Sequence, residues 1–67
     1  MKIFNLMKIM SIFKRYEPYA KEEYRVNGLG MMRVFIHLND VEDHDRKLLN
    51  SYDVFESTEH DCFMVQL

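Results

Sequence analysis

Five side chains carry donor atoms that metal ions accept as ligands: Asp40, His44, His60, Asp61 and Cys62. Asp40 and His44 are four residues apart, so they would share one face of a helix. His60 and Cys62 are two residues apart, so they would share one face of a strand. Structural zinc sites normally use paired Cys-x-x-Cys or His-x-x-x-His spacings, and neither pair occurs here. We therefore expect a solvated acidic helix and a turn histidine, with no metal and no other cofactor.

Cys62 is the only cysteine and the first candidate for catalysis. A catalytic thiol needs a nearby base and an electropositive, partly open setting. His60 is near Cys62 in the sequence, but its neighbours Glu59 and Asp61 would raise the pKa of a thiol. Free cysteine is among the commonest buried residues. The sequence therefore favours a structural, buried Cys62.

Acid–base catalysis is the second candidate, because carboxylates are dense at Asp40, Glu42, Asp43 and Asp45. Such catalysis needs a pocket that separates two pKa values, and a chain of 67 residues has little volume to form one. Gly28 and Gly30 precede no helix start, so they indicate a turn and not a phosphate-binding loop. No set supplies a nucleophile, a base and a pocket together, so we predict that the protein is not an enzyme.

Charge is distributed unevenly along the chain. Residues 1–16 carry a formal charge of +4 and no acid, whereas residues 17–67 carry −6, which gives the net −2. The acidic part would repel phosphate, so binding to nucleic acid is not expected. Six acidic side chains of the second half are our candidate partner-binding residues: Asp40, Glu42, Asp43, Asp45, Asp53 and Glu56. Imitation of DNA by these carboxylates is a variant of the same hypothesis, and ordinary solubilising charge is its alternative.

Length and composition indicate one small domain over residues 1–67. The chain is 48% hydrophobic and 30% charged, which suits a globular core. A single cysteine allows no internal disulfide, so such a chain often relies on a partner protein or on a second copy in a homodimer. The lone cysteine, the absence of a long apolar stretch and the poor match to a signal peptide predict a cytoplasmic protein.

The elements that would position these side chains begin with residues 3–16, whose wide apolar face predicts an amphipathic helix ended by Pro18. Residues 18–26 fit a second helix capped by Gly28, and this is the interpretation we prefer. The alternative is a hairpin that joins residues 24–26 to the next strand through a turn at Asn27 and Gly28.

The second half of the chain has clearer signals. Alternating apolar residues predict a half-buried strand over 31–38. A short, mostly polar helix over 41–50 follows, capped by Asn39 or Asp40. Residues 52–56 and 62–67 then predict an antiparallel hairpin around a polar turn at 57–61. The expected fold class is α+β: a small antiparallel sheet of about three strands, packed by an N-terminal amphipathic helix and a short acidic helix.

The basic N-terminal segment has three interpretations. Packing on the sheet comes first, because residues 17–67 alone have too few apolar positions to bury both faces of the sheet. The second is a peripheral membrane anchor formed by residues 2–16, and the third is a helix docked in a groove of a partner. The sequence thus predicts a non-catalytic protein-binding module that acts through its acidic surface. Small viral and phage inhibitors or adaptors of host proteins are often of this kind, and membrane anchoring is the alternative function.

Overall fold

The computed structural model describes all 67 residues, which form two α-helices and four strands. In chain order the elements are α1 (Ile3–Lys14), a 3-10 turn (Glu17–Tyr19), β1 (Arg25–Val26), β2 (Met31–Val34), a second 3-10 turn (Leu38–Asp40), α2 (Asp43–Ser51), β3 (Val54–Ser57) and β4 (Cys62–Gln66). The strands form one antiparallel sheet in the order β1-β2-β4-β3. The predicted α+β class is confirmed, but the sheet has four strands and not about three.

The helix predicted over residues 3–16 is confirmed and ends at Lys14. Pro18 lacks the N–H group that would bond the carbonyl of Lys14, so the chain tightens into the first 3-10 turn. Ile9 and Phe13 are fully buried, and the Phe13 ring meets Phe63 of β4 edge-on at 5.3 Å between centroids. The second half of α1 therefore packs into the core, as the first of the three interpretations expected.

The preferred helix over residues 18–26 is wrong, and the hairpin alternative forms instead. The Asn27 side chain decides the turn, because its Oδ1 accepts hydrogen bonds from the N–H groups of Leu29 at 2.9 Å and Met31 at 3.0 Å. Gly30 adopts φ +76, a left-handed conformation in which glycine has no Cβ to clash. This turn brings β1 alongside β2 and adds the fourth strand.

The alternation predicted over residues 31–38 is confirmed as a burial pattern, but the strand ends at Val34. The N–H of Ile36 bonds back to the carbonyl of Val34 at 2.9 Å, which turns the chain out of the sheet. Ile36 and Leu38 are nevertheless buried, because the bend directs both towards the same core.

The acidic helix is confirmed, although it begins at Asp43 and not at residue 41. The predicted caps are wrong: Asn39 and Asp40 lie in the second 3-10 turn, and Glu42 occupies the cap position without a side-chain hydrogen bond. Val41 is extended and only 2% exposed, so its burial separates the predicted caps from the helix.

The core is one continuous cluster between the helices and one face of the sheet: Ile9, Ile12, Phe13, Tyr16, Met32, Val34, Ile36, Leu38, Val41, Leu49, Val54, Phe63 and Val65. The β3–β4 hairpin supplies three of these residues and has the predicted polar turn between its strands. Neither α-helix has the length and hydropathy to cross a membrane. The sheet residues of this cluster all face the helices. Arg33, Met64 and Phe55 lie on the opposite side of the sheet, where Cys62 is the only buried strand residue.

Candidate binding surfaces

Three of the six predicted partner-binding acids lie together near the start of α2. Asp40, Glu42 and Asp43 are all exposed and fall within four residues of one another. Their charges lie close to the positive end of the α2 dipole and therefore stabilise the helix. Asp53 is also exposed, but it lies beyond the other end of α2, about 13 Å along the helix axis. The predicted acids therefore do not form one continuous surface.

Asp45 is not a surface residue, which corrects its assignment as a partner contact. It is only 3% exposed and accepts hydrogen bonds from the Tyr16 hydroxyl and, at 2.8 Å, from Arg15 Nη2. These bonds hold the pKa of the Asp45 carboxyl below its usual value, against the opposing effect of burial. Burial and the bond to Asp45 raise the pKa of Tyr16. The Asp45 carboxylate therefore connects α2 to Arg15 and Tyr16, the two residues that follow α1.

Glu56 also forms its hydrogen bonds within the chain. It lies opposite Phe63, on the face of the sheet that the helices cover. Arg46 of α2 donates to its carboxylate at 2.6 Å and 3.3 Å, and Asn50 donates at 3.2 Å. These bonds lower the pKa of Glu56 and raise that of Arg46. Glu56 therefore ties α2 to β3 and is not free to bind a partner.

The metal and thiol candidates are dispersed. Cys62 is buried and free, and desolvation raises the pKa of its thiol, in agreement with the structural role predicted for it. Asp40 lies outside α2, so it does not share a helix face with His44. Asp61 contacts His37 and accepts a bond from the Leu38 N–H at 3.0 Å; these contacts lower its pKa. No group of three His, Cys, Asp or Glu side chains is placed to hold a metal ion.

A groove of about 570 Å³ lies beside the end of α1. Its walls combine two lysines, three glutamates and three less polar residues: Lys14, Lys21, Glu17, Glu22, Glu23, Met10, Ala20 and Tyr24. Burial raises the pKa of Tyr24, and the charge of Glu17 adds to the effect. Both signs of charge are mixed along this groove, so its electrostatics favour no class of ligand.

The side of the sheet opposite the helices carries one continuous row of large side chains. Arg25 pairs with Arg33, Arg33 with Met64, and Met64 with Phe55, so the four residues lie side by side across all four strands. We call these four residues the open row. Phe55 is 55% exposed, both arginines are exposed and Met64 is half-buried. Met31 lies in the next row on the same side.

The two arginines of the open row differ in their surroundings. Arg25 binds Glu22 at 3.2 Å and lies over the ring of Phe35 at 5.7 Å. Arg33 forms no ion pair within the chain. Like charges directly opposite one another in a sheet are destabilising, so the pairing of Arg25 with Arg33 does not stabilise the sheet. The alternation of residues 31–38 already indicated which side Arg33 faces, but only the strand pairing reveals the row.

A second exposed apolar surface lies on the first two turns of α1. Ile3 is 65% exposed, Phe4 73% and Met7 60%, and the preceding Met1 is 45% exposed. We call these four residues the helix tip. They project away from the sheet, because the core-facing positions of α1 begin at Ile9.

Comparison with protein-family models finds no family that matches this chain, and comparisons with curated proteins and with solved structures find no match either.

Proposed function

We propose that this chain is a non-catalytic protein-binding module and that the open row is its contact surface. The observation that carries the proposal is the continuous row of Arg25, Arg33, Met64 and Phe55, three of them exposed, on the sheet side opposite the helices. Single exposed apolar side chains are common on proteins. The proposal therefore rests on the row as a whole and not on Phe55 alone.

The composition of the open row resembles that of the buried centre of protein interfaces. Aromatic residues, methionine and arginine are enriched there, and a few of them supply most of the binding energy. The Phe55 ring offers a large rigid contact area, while the flexible side chain of Met64 adapts to the shape of a partner.

The charges suggest what the partner presents at this surface. Arg33 lacks a carboxylate partner, and a guanidinium binds a carboxylate through two parallel hydrogen bonds. We therefore expect an acidic side chain opposite Arg33 and an apolar one over Phe55. The exposed Asp40, Glu42 and Asp43 act in this proposal through long-range charge, which orients an approaching partner.

We propose further that binding inhibits or redirects the partner, a role typical of small viral and phage proteins. The proposed compartment is the cytoplasm, where the buried free thiol of Cys62 remains reduced.

The experiment is affinity capture with the immobilised chain from a lysate of cells that express it. The test variant is Phe55→Ser, and the matched control is Leu29→Ser, which removes an 85% exposed side chain from the β1–β2 turn. We expect Phe55→Ser to weaken capture about tenfold or more, because central aromatic contacts dominate interfaces, and Leu29→Ser to leave it unchanged. Light scattering of the same proteins tests whether the captured partner is a second copy.

Equal capture by the two variants would show that the open row is not the contact surface. Loss of capture on Asp43→Asn instead would return the contact to the acidic residues at the start of α2. If the unaltered chain captures no protein and remains monomeric, the binding function itself is wrong.

A further inference from the structure

The helix tip is the largest concentration of exposed apolar side chains in the molecule. Of the nine large hydrophobic residues that are exposed, four belong to it: Met1, Ile3, Phe4 and Met7. Positions 3, 4 and 7 lie on one face of a helix, so Ile3, Phe4 and Met7 form a single surface. Ile9, Ile12 and Phe13 occupy the opposite, buried face of α1. The tip therefore contributes nothing to the core and exposes apolar area to water.

The charged residues nearest the helix tip along the chain are both lysines. Lys2 precedes α1, and Lys8 follows the tip within one turn, with its ammonium 5.7 Å from the centre of the Tyr52 ring. Both lysines are exposed, and neither forms an ion pair. Residues 1–16 contain no acid. An apolar face with a basic border and no acid complements the surface of an anionic bilayer, where apolar side chains enter the headgroup boundary and lysines meet lipid phosphates.

We propose that the helix tip binds the surface of membranes that contain anionic lipids, with α1 lying in the interface. Phe4, Ile3 and Met7 insert between the headgroups, and Lys2 and Lys8 contact the phosphates. This inference goes beyond protein binding and uses a different surface. The sheet lies on the other side of α1, so the open row faces away from the membrane and remains accessible to a protein.

The apolar contact is small, because only three side chains of the helix insert. Binding is therefore reversible and depends on both the apolar and the electrostatic contributions. Salt screens the electrostatic part, so raising the ionic strength releases the protein.

The experiment is flotation of the full chain with phosphatidylcholine vesicles, prepared with and without phosphatidylserine, at low and at high salt. We expect binding only to the vesicles with phosphatidylserine and only at low salt. Phe4→Ser should weaken this binding about tenfold, because it removes the largest inserted side chain. Lys2→Glu should also weaken it, and glutamate before a helix start is favourable for the helix dipole, so the fold is retained.

Two matched controls separate these effects from general changes in hydrophobicity or charge. Leu29→Ser removes a similarly exposed apolar residue from the β1–β2 turn. Lys47→Glu makes the same change of net charge on the exposed surface of α2. Both controls, and Phe55→Ser, should float like the unaltered chain.

Absence of flotation with phosphatidylserine vesicles at low salt would overturn the proposal, as would equal losses for Phe4→Ser and Leu29→Ser. If Phe4→Ser abolishes capture of a protein while no vesicle binds, the helix tip is a protein contact and the membrane inference is wrong. Because Phe55→Ser is expected to float normally, failure here leaves the open-row proposal standing, and the reverse also holds.

Discussion

Asp45 is predicted from the sequence to contact a partner, but the structure shows that it is buried. In the sequence it is one of several acids between residues 40 and 45, with nothing to separate it from Asp43. In the fold it lies on the buried side of α2 and receives hydrogen bonds from Arg15 and Tyr16, which are about thirty residues away in the chain. Glu56 is similar, since only the pairing of β3 with β4 turns it towards Arg46. The acidic composition of a segment does not show which of its carboxylates will be buried by elements that are distant in the chain.

Replacing Asp45 with asparagine should lower the free energy of unfolding by about 2 kcal/mol, because a buried carboxylate with two charge-assisted donors is lost. The matched Asp43→Asn change on the exposed side of the same helix should cost less than about 1 kcal/mol, mainly through the helix dipole. Urea denaturation of the two variants measures both values. Equal losses would contradict the buried role of Asp45.

The pH dependence of stability should follow the lowered pKa values of Asp45 and Glu56. The unfolded chain binds protons to these carboxyls at a higher pH than the folded protein does. Their contribution is therefore complete above the unfolded pKa of about 4 and is lost as the pH falls through the lower folded pKa. Thermal unfolding from pH 7 down to acid should show the loss, and Asp45→Asn should flatten it. An unchanged profile in that variant would rule out Asp45 as a source.

At the scale of elements, the sequence predicts those helices and strands that depend on the local spacing of apolar residues. The amphipathic face of α1 and the β3–β4 hairpin are predicted from residue spacing, and both form. The alternation in residues 31–38 correctly predicts which residues are buried, but the strand itself ends at Val34. The segment 18–26 fails because helix propensity competes with the Asn27 turn, and the pairing of β1 with β2 decides the outcome. The open row could not be predicted, because its members come from four strands whose order only the fold defines.

The two glycines of the β1–β2 turn make this competition testable. Gly30 has φ +76, so Gly30→Ala should destabilise the protein by about 1 kcal/mol. A methyl group at Gly28 would meet no other atom within 4 Å, and the backbone there is one that other residues adopt, so Gly28→Ala should be close to neutral. Thermal unfolding of both variants gives the comparison. A larger loss at Gly28 would mean that the turn is wrongly described.

At the scale of the whole molecule, the two layers separate two surfaces of different character. The helix layer exposes the helix tip, which is apolar and flanked by lysines. The sheet layer exposes the open row on the opposite side. The acids that were expected to form one surface are divided between helix-end positions and internal ion pairs. The two proposed contact surfaces therefore lie on opposite sides of the core.

The six methionines report on both surfaces at once, so methyl NMR of the chain titrated with its captured protein is the most direct measurement. Met31 and Met64 lie on the open sheet side, Met1 and Met7 in the helix tip, and Met32 in the core. The binding proposal predicts that the Met64 and Met31 signals shift on addition of the partner while the Met1 and Met7 signals stay in place. Shifts confined to Met1 and Met7, or no shift at Met64 despite binding, would contradict it.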